Sequence, residues 1–206
     1  MIVIQARLDS TRWPKKALVK LDGIPMIDRV YKQCQLSDIR PVIVAIPADD
    51  LELGEHCQHA GYCTYLYGGE RNDLIGRYWG ALQEYGGDRV LRITADCPYH
   101  FPQEIAWVWS NGQIDDFTSN GWPEGRTTPD GVDAEVYSRR LLKWMYENVT
   151  DKRYREHLPL YLYEHEAELK SKFYLNRVDW AVDFSNVKFS MDRPEDYENI
   201  KKAGLI

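Results

Sequence analysis

Arg7, Ser10, Thr11, Arg12, Lys15 and Lys16 put four cations and two hydroxyls into one short loop. The loop follows Met1-Ile-Val-Ile4, an apolar run with the β-branched content of a short buried strand. Guanidinium forks and lysine point charges neutralise phosphate oxygens, while hydroxyls and backbone N–H groups orient them. The group therefore suits a polyanion such as a triphosphate. A solvated, basic surface turn would read the same way in this segment alone.

Acidic residues farther along the chain bear on that choice. Asp96 stands in Thr94-Ala95-Asp96-Cys97-Pro98, directly after an apolar run. A carboxylate there is a hard oxygen donor suited to Mg²⁺, whose octahedron phosphate oxygens and water complete. It equally suits an Asx-turn that fixes the loop. Asp192 ends Val187–Met191 and opens Asp192-Arg-Pro-Glu-Asp196. Asp192 and Glu195 have capping-box spacing, and Pro194 suits a first helical turn, so capping and metal binding compete for the same oxygens. Asp130-Gly-Val-Asp133-Ala-Glu135 alternates acids into a strand, and Arg153-Tyr-Arg155-Glu-His157 groups cations with a histidine. The first suits substrate hydroxyls or a second metal and the second a carboxylate or phosphate, and either suits a set of subunit salt bridges. Gly68-Gly-Glu-Arg71-Asn-Asp73 leads into a helix where Asp73 and Arg77 have i,i+4 spacing for an ion pair.

The elements that position these residues alternate. Strands are expected at 2–5, 42–46, 63–66 and 89–94, with helices at 25–36, 51–60, 73–85 and 102–110. Apolar strands spaced by amphipathic helices predict an α/β, doubly wound, mostly parallel sheet. Ligands of such sheets sit beyond the carboxyl ends of strands, near the switch in strand order. The basic loop and the Asp96 turn are expected to meet there. From 111 to 170 the rhythm changes: a turn-rich stretch precedes a short strand near 134–137 and helices at 139–148 and 155–165. That segment reads as a small insertion within a single domain, covering the site or making a subunit contact. The sheet is expected to return at 187–191, with a last helix from Arg193.

Length and composition set bounds. A chain of 206 residues is expected to form one domain with a sizeable core. A net charge of −6 argues against a protein that coats nucleic acid. No apolar run approaches the roughly 20 residues of a membrane helix. With a strand starting at Met1 there is no room for a signal peptide, and a cytoplasmic chain is expected. Cys34, Cys57, Cys63 and Cys97 lack CxxC spacing and fit free thiols. His56, Cys57, His59 and Cys63 lie close together, but Cys57 points away from the histidine face; the group reads as a helix end stopped at Gly61, not a zinc site.

Taken in order, seven stretches resemble the cytidylyltransferases that activate sugars with CTP, in particular the spore-coat polysaccharide F-type (SpsF-like) enzymes. They are more distantly similar to CMP-Kdo and CMP-sialic acid synthetases. The stretches are Gln5-Ala-Arg-Leu-Asp-Ser-Thr-Arg-Trp-Pro-Lys-Lys16, Gly23-Ile-Pro-Met26, Gly69-Glu-Arg-Asn-Asp-Leu-Ile-Gly-Arg-Tyr78, Arg92-Ile-Thr-Ala-Asp-Cys-Pro98, Asp130-Gly-Val-Asp-Ala-Glu-Val136, Arg155-Glu-His157 and Met191-Asp-Arg-Pro-Glu-Asp196. Their order across nearly the whole chain makes the match specific; no single stretch does.

The resemblance implies a nucleotide-diphospho-sugar transferase (Rossmann-like) fold, Mg²⁺ dependence, CTP and a sugar-type acceptor as substrates, and a homodimer built through the insertion. It implies that Arg7, Ser10, Thr11, Arg12 and Lys16 hold the triphosphate, with Arg71, Asp73 and Arg77 along the nucleotide pocket. Asp96 and Asp192 would hold metal; Lys16, Arg12 and Asp96 would carry catalysis; Asp133, Glu135, Arg155 and His157 would face the acceptor. Two departures stand out: Lys15 occupies a position that is usually glycine, and Trp13 one that is usually leucine. Alternatives are a phosphorylated acceptor giving a CDP-linked product, a glycosyltransferase (which usually carries a DxD motif that this chain lacks) and a non-catalytic nucleotide-binding module.

Overall fold

The computed structural model describes residues 1–205. In the first half, strands and helices alternate as β1 (Ile2–Gln5), β2 (Lys20–Leu21), β3 (Ile24–Pro25), α1 (Met26–Leu36), β4 (Val42–Pro47), α2 (Leu51–His59), β5 (Cys63–Tyr67), α3 (Leu74–Tyr85), β6 (Arg89–Thr94) and α4 (Pro102–Asn111). The second half adds β7 (Phe117–Ser119), β8 (Glu135–Ser138), α5 (Arg139–Asn148), α6 (Lys152–Glu156), α7 (Leu160–Glu164), α8 (Glu166–Leu169), β9 (Leu175–Arg177) and α9 (Pro194–Lys202).

The main sheet runs β5-β4-β1-β6-β8-β7-β9. Its first four strands are parallel, and β8 alone runs against its neighbours β6 and β7. Strands buried on both faces need apolar residues throughout, not alternation, and β4 is buried along its whole length. Ile2, Ile4 and Val44 pack on one side with Ile27 and Val30 of α1 and Ile105 and Val108 of α4. Val3, Ile43 and Ala45 pack on the other with Ile75, Tyr78 and Leu82 of α3 and Leu141 and Met145 of α5. Each buried Val, Ile, Leu or Met among them contributes roughly 1.5–3 kcal/mol, which makes these helices clamp the sheet from both sides. The doubly wound, mostly parallel α/β arrangement expected from the sequence is the one observed.

Two expectations in the second half are corrected. The helix anticipated at 155–165 is two short helices, α6 and α7, because Pro159 lacks the N–H that would continue the ladder and His157 leaves the helical region. The strand anticipated at 187–191 is not in the sheet. The flank of β6 that it would need is taken by β8. The segment instead crosses loops through a bridge between Asp130 and Lys188, and buries Phe189 and Met191 against Leu21, Met26, Val132 and Ile200. The stretch 111–170 contributes β7 and β8 to the main sheet. No helix among the described residues is long and apolar enough to cross a membrane.

Candidate active site

Strand order reverses between β1 and β6: β4 and β5 extend to one side of β1, whereas β6 lies on the other. The adjacent strand ends, Gln5 and Thr94, are in register. Their loops diverge above them and open a cleft of about 550 Å³. Of the residues picked out in the sequence, Arg7, Ser10, Thr11, Arg12, Lys16, Arg77, Asp96 and His157 line it. The basic loop and the Asp96 turn thus meet where the topology requires.

Lys16 is the centre of the cluster. Its Nζ donates to Asp96 Oδ2 at 2.6 Å and lies 3.5 Å from Asp192 Oδ1. Arg12 reaches the same Asp192 oxygen at 2.8 Å. Residues eighty and more positions away are held here by backbone as well as side chains: Met191 N–H donates to the Asp96 carbonyl at 2.8 Å, and Lys16 Nζ lies 3.4 Å from the Met191 carbonyl. Burial disfavours a charge on Asp96, but the Lys16 ammonium and its hydrogen bond outweigh that penalty and hold the carboxyl below the usual carboxylate range.

Asp192 is free for this role because it does not cap α9. The expected Asp192–Glu195 capping pair is replaced by Asp196, whose Oδ2 accepts the backbone N–H groups of Asp192 and Arg193, each at 2.8 Å. The acid that matters for the helix start sits one residue later than the sequence pattern suggested. Capping therefore falls on Asp196, while Asp192 pairs with Arg12 and Lys16.

Lys15, at the position where the resemblance led to glycine, has φ 55° and ψ 28°. That left-handed conformation is the one glycine adopts without strain. The backbone requirement is kept, and Lys15 meets it with a side chain that reaches Glu52 at 2.5 Å.

Several expected ligand residues are engaged elsewhere. Asp73 does not pair with Arg77; it caps α3 by accepting Gly76 N–H at 2.9 Å. Both of its oxygens also receive Arg155, from Nε and Nη2 at 2.9 Å each. Arg155 spends its remaining nitrogen on the Val149 carbonyl at 2.7 Å, so it ties α6 to α3. Glu135 is buried against Arg92, its register partner on β6, at 2.7 and 2.8 Å. Asp133 lies 2.5 Å from Arg126, and burial raises its carboxyl to about 6 despite that arginine. Arg71 is held by Asp49 and Asp50 at 2.7 Å each. None of these residues, nor Asp192, is among those that line the cleft.

Arg77 is different. It is almost wholly buried, has no carboxylate partner among the described residues, and its Nε has no hydrogen-bond partner. Burial without a counter-ion lowers its pKa. An anion entering the cleft it lines would relieve that cost.

Sequence reasoning passed over Glu156, which lines the cleft and lies 3.4 Å from Arg7. The signal was its place between two residues already singled out, Arg155 and His157. The histidine–cysteine group near residue 60 holds no zinc geometry: His56 pairs with Asp28 at 2.7 Å, His59 bonds the Glu55 carbonyl of its own helix, and Cys57 is buried.

The donor set bears on a divalent ion. Asp96 and Asp192 offer hard oxygens to one cationic atom, Lys16 Nζ. No group of three or more metal-binding side chains occurs among the described residues. Two carboxylates without a closed protein cage fit Mg²⁺, which keeps waters and takes phosphate oxygens as further ligands.

The likeness to known proteins extends along the chain. The spore coat polysaccharide biosynthesis protein SpsF of Bacillus subtilis is 26% identical over 99% of this chain and 87% of its own. A 3-deoxy-manno-octulosonate cytidylyltransferase of Wolinella succinogenes is 35% identical over 52% of this chain and 43% of its own. A solved cytidylyltransferase from Leptospira borgpetersenii superposes with a TM-score of 0.84 at 26% identity, covering 97% of this chain and 84% of that one. The sequence model described as Cytidylyltransferase matches residues 1–205, and the chain belongs to that family of nucleotidyltransferases.

Proposed function

We propose that this protein transfers CMP from CTP to a hydroxyl of a sugar or sugar-acid acceptor, in the presence of Mg²⁺, and releases pyrophosphate. The observation that carries the reading is Lys16 bridging Asp96 and Asp192 in a cleft lined by Arg7, Ser10, Thr11 and Arg12. The family supports the cytidylyl donor. The relatives named for SpsF and for 3-deoxy-manno-octulosonate support a sugar-type acceptor.

The acceptor oxygen attacks the α-phosphorus in line; a new P–O bond forms as the bond to the β-phosphate bridging oxygen breaks. Such chemistry needs alignment and charge neutralisation more than covalent help. Lys16 and Arg12 offset the charge that builds on the departing pyrophosphate. Arg7, Ser10 and Thr11 orient the remaining phosphate oxygens. Asp96 and Asp192 would hold Mg²⁺, which when bound would further neutralise phosphate oxygens. His157, an exposed residue of the cleft lining, would take the acceptor proton. Glu156 beside it adds a negative charge that favours a neutral hydroxyl over an acceptor phosphate. We assign α6 and its surroundings to the acceptor side of the cleft and a homodimer to the working enzyme.

The test is a screen of four nucleoside triphosphates with Mg²⁺ by melting temperature, followed by pyrophosphate release. At about 100 times its Kd, CTP adds about 2.7 kcal/mol to stability. A larger shift with another triphosphate overturns the base assignment. Phosphorus NMR of the product then separates a CMP monoester from a CDP-linked diphosphate.

A further inference from the structure

Asp50 stands at the N-cap position of α2, yet its carboxylate makes no bond to the first turn of that helix. Aspartate at an N-cap ordinarily accepts the N–H of the second or third helical residue. Here both oxygens leave the helix. Oδ2 accepts the backbone N–H of Leu8 at 3.0 Å, and Oδ1 accepts Arg71 Nη1 at 2.7 Å. Asp50 is 8% exposed, and a buried carboxylate that gives up its local bond for distant partners fixes those partners firmly.

What it fixes is the cation loop. Leu8 receives Asp50 through its N–H, and its carbonyl accepts Lys15 N–H at 3.0 Å. Lys15 takes the left-handed turn, and the next residue projects its ammonium to Asp96 and Asp192. Two hydrogen bonds and one turn therefore connect the Asp50 carboxylate to the Lys16 backbone. Arg71 closes the arrangement from the far side: it holds Asp50, contacts Asp49 at 2.7 Å, and lies 3.7 Å from Asp9 in the same loop.

We propose that Asp50 is a positioning residue for the transfer, setting the backbone of residues 8–15 so that Lys16 and Arg12 meet a triphosphate, with Arg71 as its partner in place of a direct ligand role. The inference rests on the reading that the cleft takes a nucleoside triphosphate.

Calorimetry with CTP and Mg²⁺ on wild type, Asp50→Ala and Asp50→Asn tests it. A variant that is less stable but still mostly folded binds with Kd unchanged, and irreversibly misfolded protein lowers only the stoichiometry. A displaced loop raises Kd at full stoichiometry. The alanine variant is expected to bind about tenfold more weakly, the scale of a modest misplacement of binding groups. The asparagine variant keeps an oxygen for the Leu8 N–H and is expected within about threefold of wild type. Alanine binding as tightly as wild type overturns the proposal and leaves the triphosphate reading intact. Failure of wild type to bind CTP or any other nucleoside triphosphate overturns both. Should the alanine variant not fold, hydrogen exchange of Asp50→Leu and Asp50→Asn takes its place. A peptide covering residues 6–16 must lose protection in the leucine variant and keep it in the asparagine variant; equal protection in both contradicts the proposal.

Discussion

Lys16 Nζ and Asp96 Oδ2 lie 2.6 Å apart although eighty residues separate them in the chain. The contact joins the two loops that leave neighbouring strands at the reversal of strand order. Topology brings these loops close, since β1 and β6 are adjacent and end in register. Replacing Lys16 with Met removes charge from the cleft centre, and Asp96→Ala removes its partner. Each is expected to lower turnover by about 10²–10³-fold, the usual loss for a preorganised electrostatic contact. Pyrophosphate release in purified variants checks this, and activity near wild type in either contradicts the assigned role.

Asp73 and Arg155 are expected to matter for stability. Their bidentate pair has side chains 14% and 19% exposed and joins α3 to α6. Arg155→Ala strands a largely buried carboxylate and is expected to cost about 2–3 kcal/mol. The double variant with Asp73→Ala should cost less than the two singles added, because neither leaves a charge behind. Denaturant titration measures both; strict additivity would show that the pair is not coupled.

Lys15→Gly should stabilise the protein. Holding a side chain in the left-handed region costs roughly 1–2 kcal/mol, and the exposed pair with Glu52 returns only ~0.2–1 kcal/mol. A net gain of only about 0.2 kcal/mol is left once glycine's greater unfolded-state entropy, about 0.5–1 kcal/mol, is counted. A lower melting temperature for the glycine variant would place the lysine's value elsewhere.

Asp133 predicts a pH dependence. Burial raises its folded-state carboxyl to about 6, above the 3.8 of an exposed aspartate. Between those values the folded state binds more protons than the unfolded one, so this group's contribution to stability falls as pH rises from about 4 to 6 and levels off above. Asp133→Asn abolishes the fall. Its stability relative to wild type should rise across that window by up to about 3 kcal/mol, the equivalent of two pH units. A difference that stays flat between pH 4 and 7 counts against the raised value.

The layers of this fold were legible where apolar runs are long and uniform. Ile2–Gln5 and Arg89–Thr94 have the bounds read from the sequence, as does Arg139–Asn148. Phe117–Ser119 and Leu175–Arg177 were not seen, because three residues carry no measurable period and their pairing is non-local. Val187–Met191 shows the converse: an apolar run is buried without joining a sheet whose positions are filled. At the site, the sequence named the cations and both acids that converge. It could not say which acid caps α9, since Asp192, Glu195 and Asp196 all fall within reach of one helix start. Nor could it separate the arginines. Arg7 and Arg12 face the cleft, whereas Arg71 and Arg155 are consumed by Asp50 and Asp73, and only packing decides which.

A crystal structure with CTP and Mg²⁺ tests the account most directly. It should place the triphosphate between Lys16 and the loop carrying Arg7 and Arg12, with the ion bonded at about 2.1 Å to oxygens of Asp96 and Asp192. A nucleotide bound outside this cleft, or an ion that ignores both carboxylates, would contradict it.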